Sequence, residues 1–143
     1  MDLLNDPTDL ATRWQTQLGP LAGRAWPIRC SLVFSPQEVV ALRLGLWPQD
    51  MDDRWAIWLD PQGVLRCWRS WTSQCLYEAP LVLGADGGAA CPVVHVLDDP
   101  EHYQRSPVDG SELDRFEGVL ALVLRGARGA ATPAIASVRS SEL

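Results

Sequence analysis

The spacing of hydrophobic positions changes along this chain. Leu10, Trp14 and Leu18 recur every fourth residue, the repeat of one helix face. Asp6-Pro7 before them supplies an N-cap and a proline for the first turn, and Gly19-Pro20 stops the run. A short amphipathic helix is predicted there, with Trp14 docked on the core. Over residues 28–34 the period falls to two, with Ile28, Cys30, Leu32 and Phe34 opposite Arg29, Ser31 and Val33. That is a half-buried strand. Ser35-Pro36-Gln37-Glu38 then reads as a capping box opening a helix to about residue 46. Its buried side chains are expected to be Val39, Val40, Leu44 and Trp47, with Pro48 closing it.

Residues 54–78 hold four of the seven tryptophans and three arginines. Asp60-Pro61-Gln62-Gly63 is a turn tetrad inside this window. A hairpin closing there pairs Leu59 with Val64, Ile57 with Arg66 and Trp55 with Trp68. A second reversal at Ser70-Trp71-Thr72 leads to a strand over residues 75–83, and residues 93–97 form another after Ala85-Asp86-Gly87-Gly88. Residues 98–104 read as a turn with a short helical stretch. The last helix begins near Ser111, with Glu112 and Asp114 in its first turn, Arg125 and Arg128 at its far end, and Leu113, Phe116, Leu120 and Leu124 as its apolar stripe. The expected fold class is α+β: an antiparallel sheet of four to five strands, a Trp-rich meander, packed against two or three helices. Residues 1–125 are expected to form one domain and residues 126–143 a flexible tail.

Composition narrows the function classes. No stretch approaches about 18 consecutive apolar residues, so no membrane helix is expected. Met1-Asp2-Leu3-Leu4-Asn5-Asp6 lacks the basic start of a signal peptide, which points to the cytoplasm. The formal net charge of −6 argues against a protein that works by neutralising nucleic-acid phosphates. It suits a protein partner with a basic surface. All twelve basic residues counted as Lys or Arg are arginine, a side chain with a planar, forked set of donors. Cys30, Cys67, Cys75 and Cys91 have no zinc-site spacing and read as small buried hydrophobes. No metal site and no cofactor is expected.

In the predicted register, one face of the meander carries Trp55, Ile57, Leu59, Val64, Arg66 and Trp68. The other carries Trp58, Leu65, Cys67, Arg69, Cys75 and Tyr77. The C-terminal helix covers one face; the other is partly open or closed by a partner. An arginine stacked on tryptophan keeps its donors available for a phosphate, a carboxylate or a base. The competing reading ties Arg69 to the Asp98-Asp99 or Asp50–Asp53 loops as an ion pair. Ser70, Trp71 and Thr72 either present hydroxyls and a ring to a ligand or serve as plain turn-formers. His95 and His102 stand alone in sequence, and no nucleophile signature accompanies them. A hydrolase would need one of them in a pocket with a carboxylate. No catalytic residue is assigned, and the chain leans away from being an enzyme.

Asp52-Asp53-Arg54-Trp55-Ala56-Ile57, Arg69-Ser70-Trp71-Thr72, Leu76-Tyr77 and Val96-Leu97-Asp98-Asp99-Pro100-Glu101-His102-Tyr103 together resemble a family of small uncharacterised bacterial proteins. That pattern has an acidic pair, Lys or Arg, Trp, a hairpin, Arg-Ser-Trp-Thr-Gly, Ile-Tyr, and an Asp-Pro-x-x-Tyr segment before a closing helix. The similarity spans about residues 35–124. Ser73 stands where the pattern has Gly, and Trp68 where it has His or another aromatic. Some members are joined to macro domains, which implies association with ADP-ribose metabolism or toxin-like systems. The expected function is a non-catalytic binding domain engaging a protein partner, of immunity or antitoxin type. The alternative is a small-ligand module for a nucleotide or ADP-ribose-like molecule. The expected contact residues are Arg54, Arg69, Ser70, Trp71, Thr72 and Tyr77.

Overall fold

A computed structural model describes residues 7–131 of the chain. In order these form α1 (Pro7–Gln17), β1 (Ala25–Phe34), α2 (Pro36–Leu44), β2 (Trp55–Leu59), β3 (Val64–Arg69), β4 (Gln74–Pro80), β5 (Val82–Leu83), β6 (Ala89–Leu97) and α3 (Asp109–Ala131). The strands make one antiparallel sheet in the order β1-β6-β4-β3-β2, and the short β5 pairs with β6. The class is α+β, as the spacing of apolar residues implied. Asp6, the expected first cap, and residues 132–143 of the expected tail lie outside the described residues. α3 itself continues past the expected boundary at residue 125.

Two local predictions hold closely. β1 alternates from Ile28 to Phe34 as read, although it begins three residues earlier. The capping box at Ser35 is present, with Ser35 N donating to Glu38 (2.8 Å) and Glu38 N to Ser35 Oγ (3.1 Å). The burial expected of α2 is corrected. Val39 and Leu42 are buried, whereas Val40 and Leu44 are exposed. The helix ends at Gly45, whose φ of +81° and close approach to Ile57 O (2.9 Å from a Cβ placed there) exclude a larger residue. Leu46 then pairs with Ile57, covering part of the outer edge of β2.

The hairpin register differs from the expected one by a single residue. Asp60 N donates to Val64 O (3.0 Å), Gly63 N to Asp60 O (2.9 Å), and Asp60 Oδ1 accepts from Gln62 N and Val64 N. Gly63 takes a φ of +88°. The loop therefore has three residues with a left-handed glycine at its end, rather than a turn closing directly on Leu59 and Val64. Leu59 pairs with Leu65, Ile57 with Cys67, and Trp55 with Arg69. Because side chains alternate, this shift moves every β3 residue to the face opposite its predicted one.

A bulge follows in β3–β4, where Cys67 pairs with Tyr77 but Trp68 with Cys75. Trp55, Ile57, Leu59, Leu65, Cys67, Arg69 and Tyr77 consequently share one face. Most of them join Val39, Leu42, Phe116, Leu120 and Leu124 in the main core beneath α2 and α3. Ala56, Trp58, Arg66, Trp68 and Cys75 share the other. That face is not left open for a partner. Leu18, Leu21 and Trp47 pack on it, and Trp68 Nε1 donates to Gly19 O (2.7 Å). Trp14 anchors α1 through its indole N–H to Pro48 O (2.9 Å). The predicted strand over residues 75–83 breaks at Leu81, whose N–H turns to Gly63 O (2.9 Å). Residues 98–104 contain turns and no helix.

Candidate functional site

β3 ends at Arg69, and the reversal into β4 is tied to the loop before β2. Ser70 N donates to Arg54 O (2.9 Å), Ser70 Oγ to Asp53 O (2.6 Å), and Trp71 Nε1 to Met51 O (3.0 Å). Ser73 N returns to Arg69 O (2.8 Å), and Thr72 Oγ1 accepts from Gln74 N (3.3 Å). The hydroxyls of Ser70 and Thr72 thus serve the turn. Trp71, by contrast, is 68% exposed. Ser73 closes the reversal at a φ of +58°, a left-handed conformation that glycine adopts without strain.

Both arginines at this end of the sheet lie over tryptophans. The guanidinium carbon of Arg54 is 5.9 Å from the Trp71 ring centre, and that of Arg69 is 5.4 Å from Trp55. Neither has a carboxylate partner among the described residues. The acidic loops expected as ion-pair partners of Arg69 are engaged elsewhere. Asp98 pairs with Arg105 (3.3 Å), Asp99 with His102 (2.7 Å), and Asp50 and Asp53 accept backbone N–H groups within their own loop. The His102 hydrogen bond, with a smaller contribution from Glu101 N–H, holds the Asp99 carboxyl below its usual value. A third pair, Arg105 over Trp26 at 4.4 Å, differs because Arg105 is tied to Asp98 and Ser106 O.

Tyr77, expected at a contact surface, is buried. Its phenol donates to Glu112 Oε2 (2.6 Å) and lies 3.0 Å from the Tyr103 phenol, which also donates to that oxygen. Glu112 Oε1 accepts from Ser106 N (2.7 Å). Arg115 Nη1 reaches Tyr103 Oη (3.2 Å), Gln104 O (3.0 Å) and Glu112 Oε1 (3.4 Å). Burial, reinforced by the hydrogen bonds to Glu112, pushes both phenols above their usual range, so they remain donors. Four donors around one carboxylate make its complete burial tolerable.

Above this network lies an open groove of about 460 Å³, lined by Trp55, Arg69, Tyr77, Tyr103, Arg115, Gly118, Val119 and Leu122. The structure therefore joins two of the predicted contact residues, Arg69 and Tyr77, with side chains from α3 that the sequence reading left out. Arg54, Ser70, Trp71 and Thr72 sit at the adjoining reversal. In the sequence Glu112 reads as a first-turn acid favourable to the helix dipole, and nothing marks out Arg115. A sequence signal existed for the first: Glu112 follows the apolar positions of α3 closely enough to fall on the inward side with Phe116. A separate pocket among the described residues, about 70 Å³ between α1 and Trp47, Trp58 and Trp68, is much smaller. His95 and His102 line neither.

Among the described residues, no group of three His, Cys, Asp or Glu side chains is placed to hold a metal ion, and no helix is long and apolar enough to cross a membrane. Cys67, Cys75 and Cys91 are buried, and Cys30 is half-buried. No protein-family model, curated protein or solved structure matches the chain.

Proposed function

We propose that this protein is a non-catalytic, cytoplasmic binding domain that engages a protein partner, in the manner of an immunity protein or antitoxin. The observation that carries the reading is the pair Arg54 and Arg69, each laid over a tryptophan and without a carboxylate among the described residues. Trp, Tyr and Arg carry much of the energy of interfaces, and Met is enriched there; Trp71 stands exposed beneath Arg54, and Met51, whose carbonyl accepts from the Trp71 indole, is exposed as well. The net charge of −6 suits a partner with a positive overall field. At contact distance local charge governs, so the group facing these guanidiniums is acidic. The test is photo-crosslinking from position 71 in host extract, followed by reconstitution with the purified captured protein. A one-to-one complex weakened about tenfold or more by Arg54→Ala and Arg69→Ala, at unchanged melting temperature, supports the reading. A complex indifferent to both substitutions, or no complex at all, ends it.

The groove favours a second reading, a small-ligand module for a nucleotide or ADP-ribose-like molecule. Its volume of about 460 Å³ falls within the range of small-molecule sites. The resemblance to proteins joined to macro domains implies the same class of ligand. Tryptophan fluorescence separates the readings, because Trp55 lines the groove. Titration with AMP and ADP-ribose changes its emission if a nucleotide seats there and leaves it unchanged if the surface serves only a protein.

A further inference from the structure

We infer that the groove between α3 and the β3–β4 reversal binds an oxyanion, a carboxylate or a phosphate monoester, carried on a small apolar body. This gives a chemistry to the small-ligand reading above and rests on it. Two guanidiniums line the same space from different elements, Arg69 from β3 and Arg115 from α3. Arg69 makes no hydrogen bond or ion pair through its side chain to the described residues, and it is seated on Trp55. Arg115 is held through Nη1 alone, which leaves Nε and Nη2 without an acceptor among those residues. A forked, planar donor set from two sides matches the oxygens of a carboxylate or phosphate.

Both cations are ordered before any ligand arrives. Trp55 supports one, and Tyr103, Gln104 O and Glu112 fix the other, so little side-chain freedom is lost on binding. The Glu112 charge is shared among Tyr77, Tyr103 and Ser106 N–H, which leaves Arg115 able to serve the groove. The remaining wall is apolar: Val119, the half-exposed Leu122 and Gly118. Gly118 lies inside α3, and a Cβ there meets nothing within 4 Å. A helix-interior glycine opposite open space keeps the groove accessible at the expense of helix propensity.

The same oxyanion can arrive on a free small molecule or on an acidic side chain of a partner. Phenyl phosphate, benzoate, AMP and a blocked Phe-Glu peptide are titrated by NMR against the full chain, with phenol as the uncharged control. The expected result is perturbation of the Trp55 indole N–H and the α3 amides around Gly118, with a dissociation constant of about 1 mM or tighter for at least one anion and none for phenol. Arg69→Ala weakens that binding about tenfold or more. Gly118→Leu abolishes it while the melting temperature holds or rises, which a merely unfolded variant would not do. Tighter binding of phenyl phosphate or AMP assigns a free ligand; tighter binding of the peptide assigns a partner's acid. Two outcomes overturn the inference. If AMP binds but its perturbations lie elsewhere and survive Gly118→Leu, the small-ligand reading stands and the groove assignment falls. If no anion at about 10 mM perturbs the groove, or phenol does so equally, both fall.

Discussion

Arg66 and Arg69 lie three residues apart on one strand and have opposite fates. Arg66 points to the α1 side, where Nη1 meets Asp60 (2.7 Å) and Nε meets Glu78 (2.6 Å), in a site where all three side chains are mostly buried. Glu78 also accepts from Leu21 N (3.1 Å), so this arginine sits in a closed polar cluster that fastens the segment after α1 to the sheet. Arg69 points to the α3 side and rests on Trp55 at the groove, with no acid beside it among the described residues. Residue type and strand are the same; the difference is which face the register assigns and what carboxylates that face holds. Satisfied charge is architecture, whereas an ordered cation without a local acid is available for recognition.

The largest test of this contrast acts on both faces at once. A thiol is neutral when protonated, and burial holds Cys75 on the α1 side protonated to about 12 instead of 9.0 and pushes Cys67 on the α3 side well above 9.0. The unfolded chain therefore loses these protons first. Stability is intact below pH 9 and falls as the pH rises from 9 towards 12, at about 1.4 kcal/mol per pH unit for each thiol. Thiolate absorbance should emerge together with loss of near-ultraviolet circular dichroism, and Cys75→Ala should make the alkaline decline shallower. With the half-buried Cys30 replaced by serine, a thiolate signal inside an intact fold would contradict this account.

Next in size is Glu112→Ala, which leaves Tyr77, Tyr103 and Ser106 N–H without their buried acceptor. Urea denaturation should show a loss of about 3–5 kcal/mol. The two arginines come third and separate cleanly. Arg66→Ala strands Asp60 and Glu78 and should cost about 2 kcal/mol, between the values for exposed and buried pairs. Among the described residues Arg69→Ala forfeits its contact with Trp55 alone, and it should stay within about 1 kcal/mol. Equal destabilisation by the two would erase the distinction between an architectural and a recognition arginine. The smallest effect is a gain: Ser73→Gly removes a left-handed non-glycine residue and should raise stability by about 1 kcal/mol, read as an upward shift of the melting temperature.

Local patterns of the sequence were enough to place β1, the capping box of α2, the α3 stripe and both reversals of the meander. Each depends on neighbours within a few residues, where period, caps and turn residues act directly. The faces of β3 were not legible in the same way, because a three-residue loop and a four-residue turn differ by one position and the position reverses every side chain. The buried face of α2 is hidden in the sequence for a related reason: Val40 and Leu44 are as apolar as Leu42, and only the placement of α3 and β2 selects between them.

The contact residues show the same division. From the sequence came the interest in Arg69 and in Ser70-Trp71-Thr72 as one reversal, since unusual residue types crowd into a short window there. It could not show that Ser70 and Thr72 spend their hydroxyls on the turn, or that Tyr77 spends its phenol on Glu112. Nor could it bring Arg115, 46 residues beyond Arg69 in the chain, to the same groove. The sequence by itself determined the class of fold and a chain rich in arginine and tryptophan. The tertiary structure alone decided which arginine is neutralised and which is presented, because charge pairing depends on distances in space that only register and packing set.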